Sequence, residues 1–293
     1  MVHKSGFVGI IGNPNVGKST LMNKILGEQL SVVTPKAQTT RHRIKGILNG
    51  DDYQIVFSDT PGIMQPAYKL HQKMMAAVDS TLVDADLMVL VVEVNEKTLS
   101  EEVAERLKRL IVPLIVVINK IDLATQEHLE ERVIFWKELL NPLAIIPVSA
   151  AENFNIRPLI DTLVAQLPEA PPYFDKEDLS DRNVRFFVTE IIREKLLVNY
   201  QKEIPYSCEV VITDYKEEPE IHRIRCEIYV DRESQKAILL GHKGEAIKKL
   251  GTEARKKIEK LVDCHVYLDL TVKVRENWRD DEKQLDKFGY NEE

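Results

Sequence analysis

The sequence has no excess of positive charge, little cysteine and no long apolar run, and each shortage removes a class of function. A formal charge of -7 and a pI near 5.6 argue against a protein coated in nucleic acid. They leave room for a local basic face, because binding depends on where the charge sits. The three cysteines, Cys208, Cys226 and Cys264, are widely spaced among alternating apolar residues. That pattern reads as thiols in the strands of a reduced, cytosolic protein, not as a disulfide framework or a metal knuckle. The longest apolar runs, LMVLVV at 87–92 and LIVVI at 114–118, fall far short of the roughly 20 residues that span a bilayer. The N-terminal run FVGII leads straight into a glycine-containing loop, so it reads as a first strand and not as a signal peptide. There is no internal repeat and no low-complexity tract. The 293 residues suffice for two domains, each with its own core.

What is present begins with GNPNVGKST, Gly12 to Thr20, between FVGII and LMNKIL. Gly, four free positions, then Gly-Lys-Ser between a strand and a helix is the pattern of a phosphate-binding loop. Backbone N–H groups and the helix dipole meet the phosphates. Lys18 reaches the β and γ phosphates, and the Ser19 hydroxyl is placed for Mg²⁺. This loop alone specifies a nucleoside triphosphate and no more.

The base is chosen downstream by NKID, Asn119 to Asp122, at the end of LIVVI. A carboxylate there accepts both N1–H and the exocyclic N2–H of guanine, a pair of donors that adenine lacks, so Asp122 selects GTP. Asn119 is expected to tie this loop to the phosphate loop, the Lys120 stem to lie along the base, and Ser149-Ala150 to offer backbone contacts to guanine. In DTPG, Asp59 to Gly62, Asp59 can hold Mg²⁺ through water and the Gly62 N–H can bind the γ phosphate, so losing that phosphate frees the segment behind it. KAQTTRHR offers Thr39 and Thr40 to complete the Mg²⁺ shell, and Thr40, just before Arg41, is favoured. The expected nucleotide site is therefore Gly12, Asn13, Asn15, Val16, Gly17, Lys18, Ser19 and Thr20, with Asp59, Thr60, Pro61, Gly62, Asn119, Lys120, Asp122, Ser149 and Ala150. Lys18, Thr40 and Gly62 are expected at the γ phosphate, and Ser19, Thr40 and Asp59 at the metal.

One departure bears on rate. Ras-like GTPases carry a Gln after the Gly of the third motif to orient the attacking water, and here that position is Ile63. An aliphatic chain cannot hydrogen-bond water, so slow intrinsic hydrolysis is expected. Asn15 resembles the loop residue of GTPases that use bound K⁺ in place of an arginine finger, which makes K⁺ stimulation an expectation.

From Phe7 to about Leu167 the runs FVGII, YQIVFSD, DLMVLVV, PLIVVIN and AIIPVS alternate with helical stretches near 18–26, 70–83, 99–110, 127–140 and 155–167. Apolar strands covered by helices imply a mostly parallel sheet, an α/β domain over residues 1–168. LPEAPPYFDKEDLSD then reads as an extended linker over 169–181. Residues 182–293 follow another order: helix, two strands, a short helix, GHKG, a longer helix and a strand. Ile247, Leu250, Ala254, Ile258 and Leu261 recur at helical spacing, so the longer helix covers the sheet.

A lone GxxG is most often a helix-capping turn. In this context, Gly241 to Gly244 resembles the loop of a type II KH domain, which clamps the backbone of about four single-stranded nucleotides. Seven basic residues against three acidic ones between Gly241 and Leu261 make a local basic face. Lys243 is the first candidate for phosphate contact and Ile238 and Ile247 for walls under the bases. His242, Gly241, Gly244 and Lys248 complete the expected RNA site.

A guanine-nucleotide domain joined to a C-terminal KH domain, with GNPNVGKST, KAQTTRHR, DTPG, NKID and ILLGHKGEAIKKLG, resembles the bacterial Era GTPase family over essentially the whole chain. The resemblance implies a monomeric cytosolic GTPase, peripherally associated with the inner membrane, that uses GTP/GDP and Mg²⁺. It also implies binding to the 3′ end of small-subunit ribosomal RNA, favoured by GTP, and help in assembling the small ribosomal subunit. The Ile63 departure is shared by that family. Two alternatives are weaker: an RNA-modification GTPase, for which no further catalytic module is visible, and a KH RNA-binding protein whose nucleotide is structural and hardly turned over.

Overall fold

Residues 2–290 are described by a computed structural model, in which the chain divides into two compact units. The first comprises the chain up to Ser31 with Thr40–Gln65 and Met74–Asp181, and the second gathers Val32–Thr39, Pro66–Lys73 and the chain from Arg182 onward. Among the described residues no helix is long and apolar enough to cross a membrane.

In the first unit the elements alternate: β1 (Lys4–Ile11), α1 (Lys18–Leu26), β2 (Ile44–Asn49), β3 (Tyr53–Asp59), α2 (Lys69–Asp84), β4 (Leu87–Glu93), α3 (Glu101–Lys108), β5 (Leu114–Asn119), α4 (Gln126–Leu140), β6 (Ala144–Pro147) and α5 (Ile156–Gln166). The sheet order is β2-β3-β1-β4-β5-β6, and only β2 runs antiparallel to its neighbour. β4 and β5 are buried along almost their whole length, as parallel strands covered on both faces must be. The carboxyl ends of β1, β3, β4 and β5 thereby open on one rim, the usual ligand edge of such a sheet.

The sequence pattern does not show β2. IKGILN carries a lysine and a glycine in six residues, and its register along β3 is held by ladder hydrogen bonds more than by an apolar alternation. Being an edge strand, β2 also needs a partner for its free side. Residues 169–181, expected as a linker, supply one. Ile47 N–H donates to Leu179 O at 2.9 Å, Ser180 Oγ donates to Lys45 O at 2.6 Å, and Gln54 Oε1 accepts from the N–H groups of Tyr173 and Phe174. The segment is extended, and it is hydrogen-bonded along the first unit.

The second unit holds α6 (Val184–Asn199), β7 (Glu209–Glu217), β8 (Ile221–Val230), α7 (Glu233–Leu240), α8 (Glu245–Val262), β9 (His265–Val274) and α9 (Glu282–Lys287). Its sheet runs β7-β8-β9, with β8 and β9 parallel. Ile192 and Leu196 of α6 and Leu250, Ala254 and Ile258 of α8 are buried with Ile224, Ile228 and Val272 of the sheet. Cys208 and Cys226 are buried free thiols, Cys264 is half-buried, and burial pushes the Cys226 thiol up to about 12. The chain after β9 folds back on the start of β7. Trp278 Nε1 donates to Ser207 O at 3.1 Å, and the Tyr290 hydroxyl donates to Glu209 Oε2 at 2.7 Å.

Candidate nucleotide site and RNA groove

The loop between β1 and α1 is closed from both sides. Gly17 has φ +98°, and a Cβ there would stand 2.3 Å from Asn119 Nδ2, so no other residue fits between this loop and the end of β5. Asn119 Nδ2 donates to Val16 O at 2.9 Å, while its Oδ1 accepts from Ala150 N–H at 3.0 Å. One buried side chain thus ties the phosphate loop, the NKID turn and the Ser149-Ala150 turn together. The Ser149 hydroxyl donates to Asp122 Oδ1, fixing the carboxylate expected to read guanine.

Lys18 is buried, and its Nζ donates to Gly12 O at 2.9 Å and Asn13 O at 3.0 Å. Burial lowers its pKa to about 8, against the opposing pull of Asp59 and Glu96. Phosphates stabilise the ammonium, so nucleotide binding takes up a proton when the free protein is above about pH 8. The expected result is a GDP affinity that weakens as pH rises from 7.5 to 9, approaching tenfold per unit once above the pKa. Calorimetry at pH 8.5 in two buffers of different ionisation enthalpy checks it, and zero net proton uptake would contradict it.

Ser19, Thr40 and Asp59 converge. Ser19 Oγ lies 2.9 Å from Thr40 Oγ1 and donates to Asp59 Oδ2 at 2.7 Å, and Thr40 Oγ1 reaches the same oxygen at 3.5 Å. The neighbouring Thr39 instead turns its hydroxyl to Lys36 O, so Thr40 is the threonine of this cluster. Burial raises the Asp59 pKa, partly offset by Ser19, Lys18, Ser31 and Thr40, and Asp59 Oδ1 is buried without a hydrogen-bond partner. An all-oxygen donor set with one uncompensated buried carboxylate oxygen suits a small hard cation of the Mg²⁺ type. Thr60 Oγ1 donates to Ile10 O at 2.7 Å, Ile63 N–H donates to Gly12 O at 3.1 Å, and the Ile63 side chain packs on the core. Asn15 has φ +64°.

Two residues that sequence reasoning missed close the other side. Glu96 accepts from Asn13 Nδ2 and from Glu93 N–H. Glu93 pairs with Lys120 at 2.7 Å. The turn after β4 thus holds both the phosphate loop and the guanine loop, a role that no local motif announces.

In the second unit GHKG forms a tight turn between α7 and α8, with Lys243 at φ +49°. Among the described residues Lys243 and Lys248 make no ion pair, whereas Lys249, Arg255 and Lys257 are paired with glutamates. A groove of about 300 Å³ follows, walled by Ile247, Lys248 and Arg255 of α8 and by Leu268 and Leu270 of β9. Ile247 and Lys248 were expected there. Ile238 is 52 % exposed on α7 and does not line it. Arg255, Leu268 and Leu270 join only when β9 lies against α8, a contact that sequence spacing does not reveal.

A model described as a 50S ribosome-binding GTPase matches residues 7–120, and a KH-domain model matches residues 203–279. The GTPase Era of Syntrophus aciditrophicus is 43% identical over 100% of this chain and 97% of that protein, and that of Staphylococcus haemolyticus is 42% identical over 99% and 98%. The chain belongs to the Era GTPase family. It is a GTPase with a mostly parallel P-loop domain followed by a KH domain. A crystal structure of Aquifex aeolicus Era bound to GDP·AlF4⁻ matches with a TM-score of 0.94 at 37% identity, covering 98% of this chain and 99% of the other. A structure of Era with MgGDPNP and nucleotides 1506–1542 of 16S ribosomal RNA matches equally well, at the same identity and coverage.

Proposed function

We propose that this GTPase is a nucleotide-controlled switch that binds the 3′ end of small-subunit ribosomal RNA through its KH groove and assists maturation of that subunit. The observation that carries it is the groove itself: an apolar floor of Leu268 and Leu270 beside unpaired lysines, next to the GHKG turn. That is the chemistry of stacked bases on a clamped phosphate backbone. Support for the RNA comes from the Era relative whose structure holds 16S nucleotides 1506–1542. Mg²⁺, held by Ser19, Thr40 and, through water, Asp59, neutralises charge on the β and γ phosphates when bound. Lys18 and the Gly62 N–H stabilise the same charge from the protein side.

With Ile63 unable to orient water, turnover is slow, and K⁺ beside Asn15 is the proposed substitute for an arginine finger. The test has two arms. A labelled oligonucleotide from the 3′ end should bind more tightly with a non-hydrolysable GTP analogue than with GDP, and multiple-turnover phosphate release should be faster in K⁺ than in Na⁺. Equal RNA binding in both nucleotide states would remove the switch. Equal release in both salts would remove only the potassium.

A further inference from the structure

One side chain anchors the segment leading from α1 toward Thr40. Asn23 accepts through Oδ1 from the N–H groups of Leu30 at 3.1 Å and Ser31 at 3.0 Å, and its Nδ2 donates to Ser31 O at 2.8 Å. Ser31 is thereby pinned to the helix that begins with Lys18 and Ser19. It is 1% exposed, and its hydroxyl lies near enough to Asp59 to favour the ionised carboxylate. Yet Ser31 Oγ makes no hydrogen bond, and neither does Asp59 Oδ1, while Asp59 Oδ2 is engaged by Ser19 and Thr40.

Two neighbouring buried oxygens without partners, beside a metal-type donor set, call for a donor of two hydrogen bonds. A water polarised by a divalent cation is such a donor, and groups that hold metal-bound water from outside the inner shell tune the affinity of the site. We propose that Ser31 is a positioning residue for the metal: its hydroxyl, together with Asp59 Oδ1, holds a water of the Mg²⁺ shell, and Asn23 fixes the backbone that presents it. This rests on the Mg²⁺ reading above. No motif marks either residue, because neither contacts nucleotide and their pairing depends on the turn between them.

The test uses the full chain loaded with fluorescent GDP, with release rates measured from excess EDTA through millimolar Mg²⁺. In Ser31→Ala the Mg²⁺ concentration that half-suppresses release should rise about tenfold, and the difference from wild type should vanish in EDTA. Asn23→Ala should shift the curve in the same direction. A Ser31→Ala curve superimposable on wild type overturns the proposal. So does faster release of equal size with and without Mg²⁺, which would mark a general loosening. A wild-type protein whose release ignores Mg²⁺ would instead sink the metal reading on which the proposal stands.

Discussion

Asp122→Asn should weaken GTP binding by about a thousandfold and make xanthosine triphosphate the better ligand. The carboxylate is the only group of the site arranged to accept two parallel donors, and Ser149 holds it in place through Oδ1. Each charge-assisted hydrogen bond contributes about 1.5–3 kcal/mol, so removing the pair costs about 4 kcal/mol, roughly three decades in affinity. Asparagine offers one acceptor and one donor. Xanthine, with N1–H and a carbonyl at C2, presents the matching pair, whereas the guanine N2–H₂ would face the asparagine N–H₂. Competition against fluorescent GDP measures both ligands. A variant that keeps GTP affinity within tenfold of wild type would mean that the base is read elsewhere. Because Ser149 only orients the carboxylate, Ser149→Ala should lower affinity in the same direction but less, and the two changes should not add.

How far the sequence could be read follows from how each feature is encoded. Lys18, Ser19 and Asp122 belong to contiguous motifs whose spacing reflects a turn geometry, so they are visible in one dimension. The buried strands β4 and β5 are visible as apolar runs. β2 is not, because an edge strand held by backbone ladders and by Leu179 needs little apolar signal. α9, at six residues, is too short to show a period. Glu96, which grips Asn13 from 83 residues away, and Arg255, which meets Leu268 only across the groove, are products of tertiary contact. Ser31 lies between these cases. A serine before Val32 and Val33 reads as ordinary loop until Asn23 is seen to hold its backbone from both sides.

Gly244→Asp should abolish most RNA binding while leaving the nucleotide site intact. Gly244 has φ +82°, and a Cβ built there meets nothing within 4 Å, so the fold leaves open space on this side of the GHKG turn. It is also the N-cap of α8, where backbone N–H groups and the helix dipole favour an anion. An aspartate at this position can cap the helix itself, which preserves the KH fold, at a cost of about 1 kcal/mol for the left-handed backbone. Its carboxylate then takes the N–H groups meant for an RNA phosphate and repels the phosphate as well. The expected loss is about 100-fold for the 3′-end oligonucleotide at moderate salt, narrowing as salt rises because the repulsion is screened. Gly244→Ala brings the backbone strain without the charge and should lose only a few-fold, so the gap between the two variants measures the electrostatic part. Anisotropy titrations at three salt concentrations, with GDP affinity measured in parallel, decide the matter. If Gly244→Asp binds the oligonucleotide within threefold of wild type, the phosphate backbone does not cross this turn. The basic face of α8 would then have to hold RNA without it.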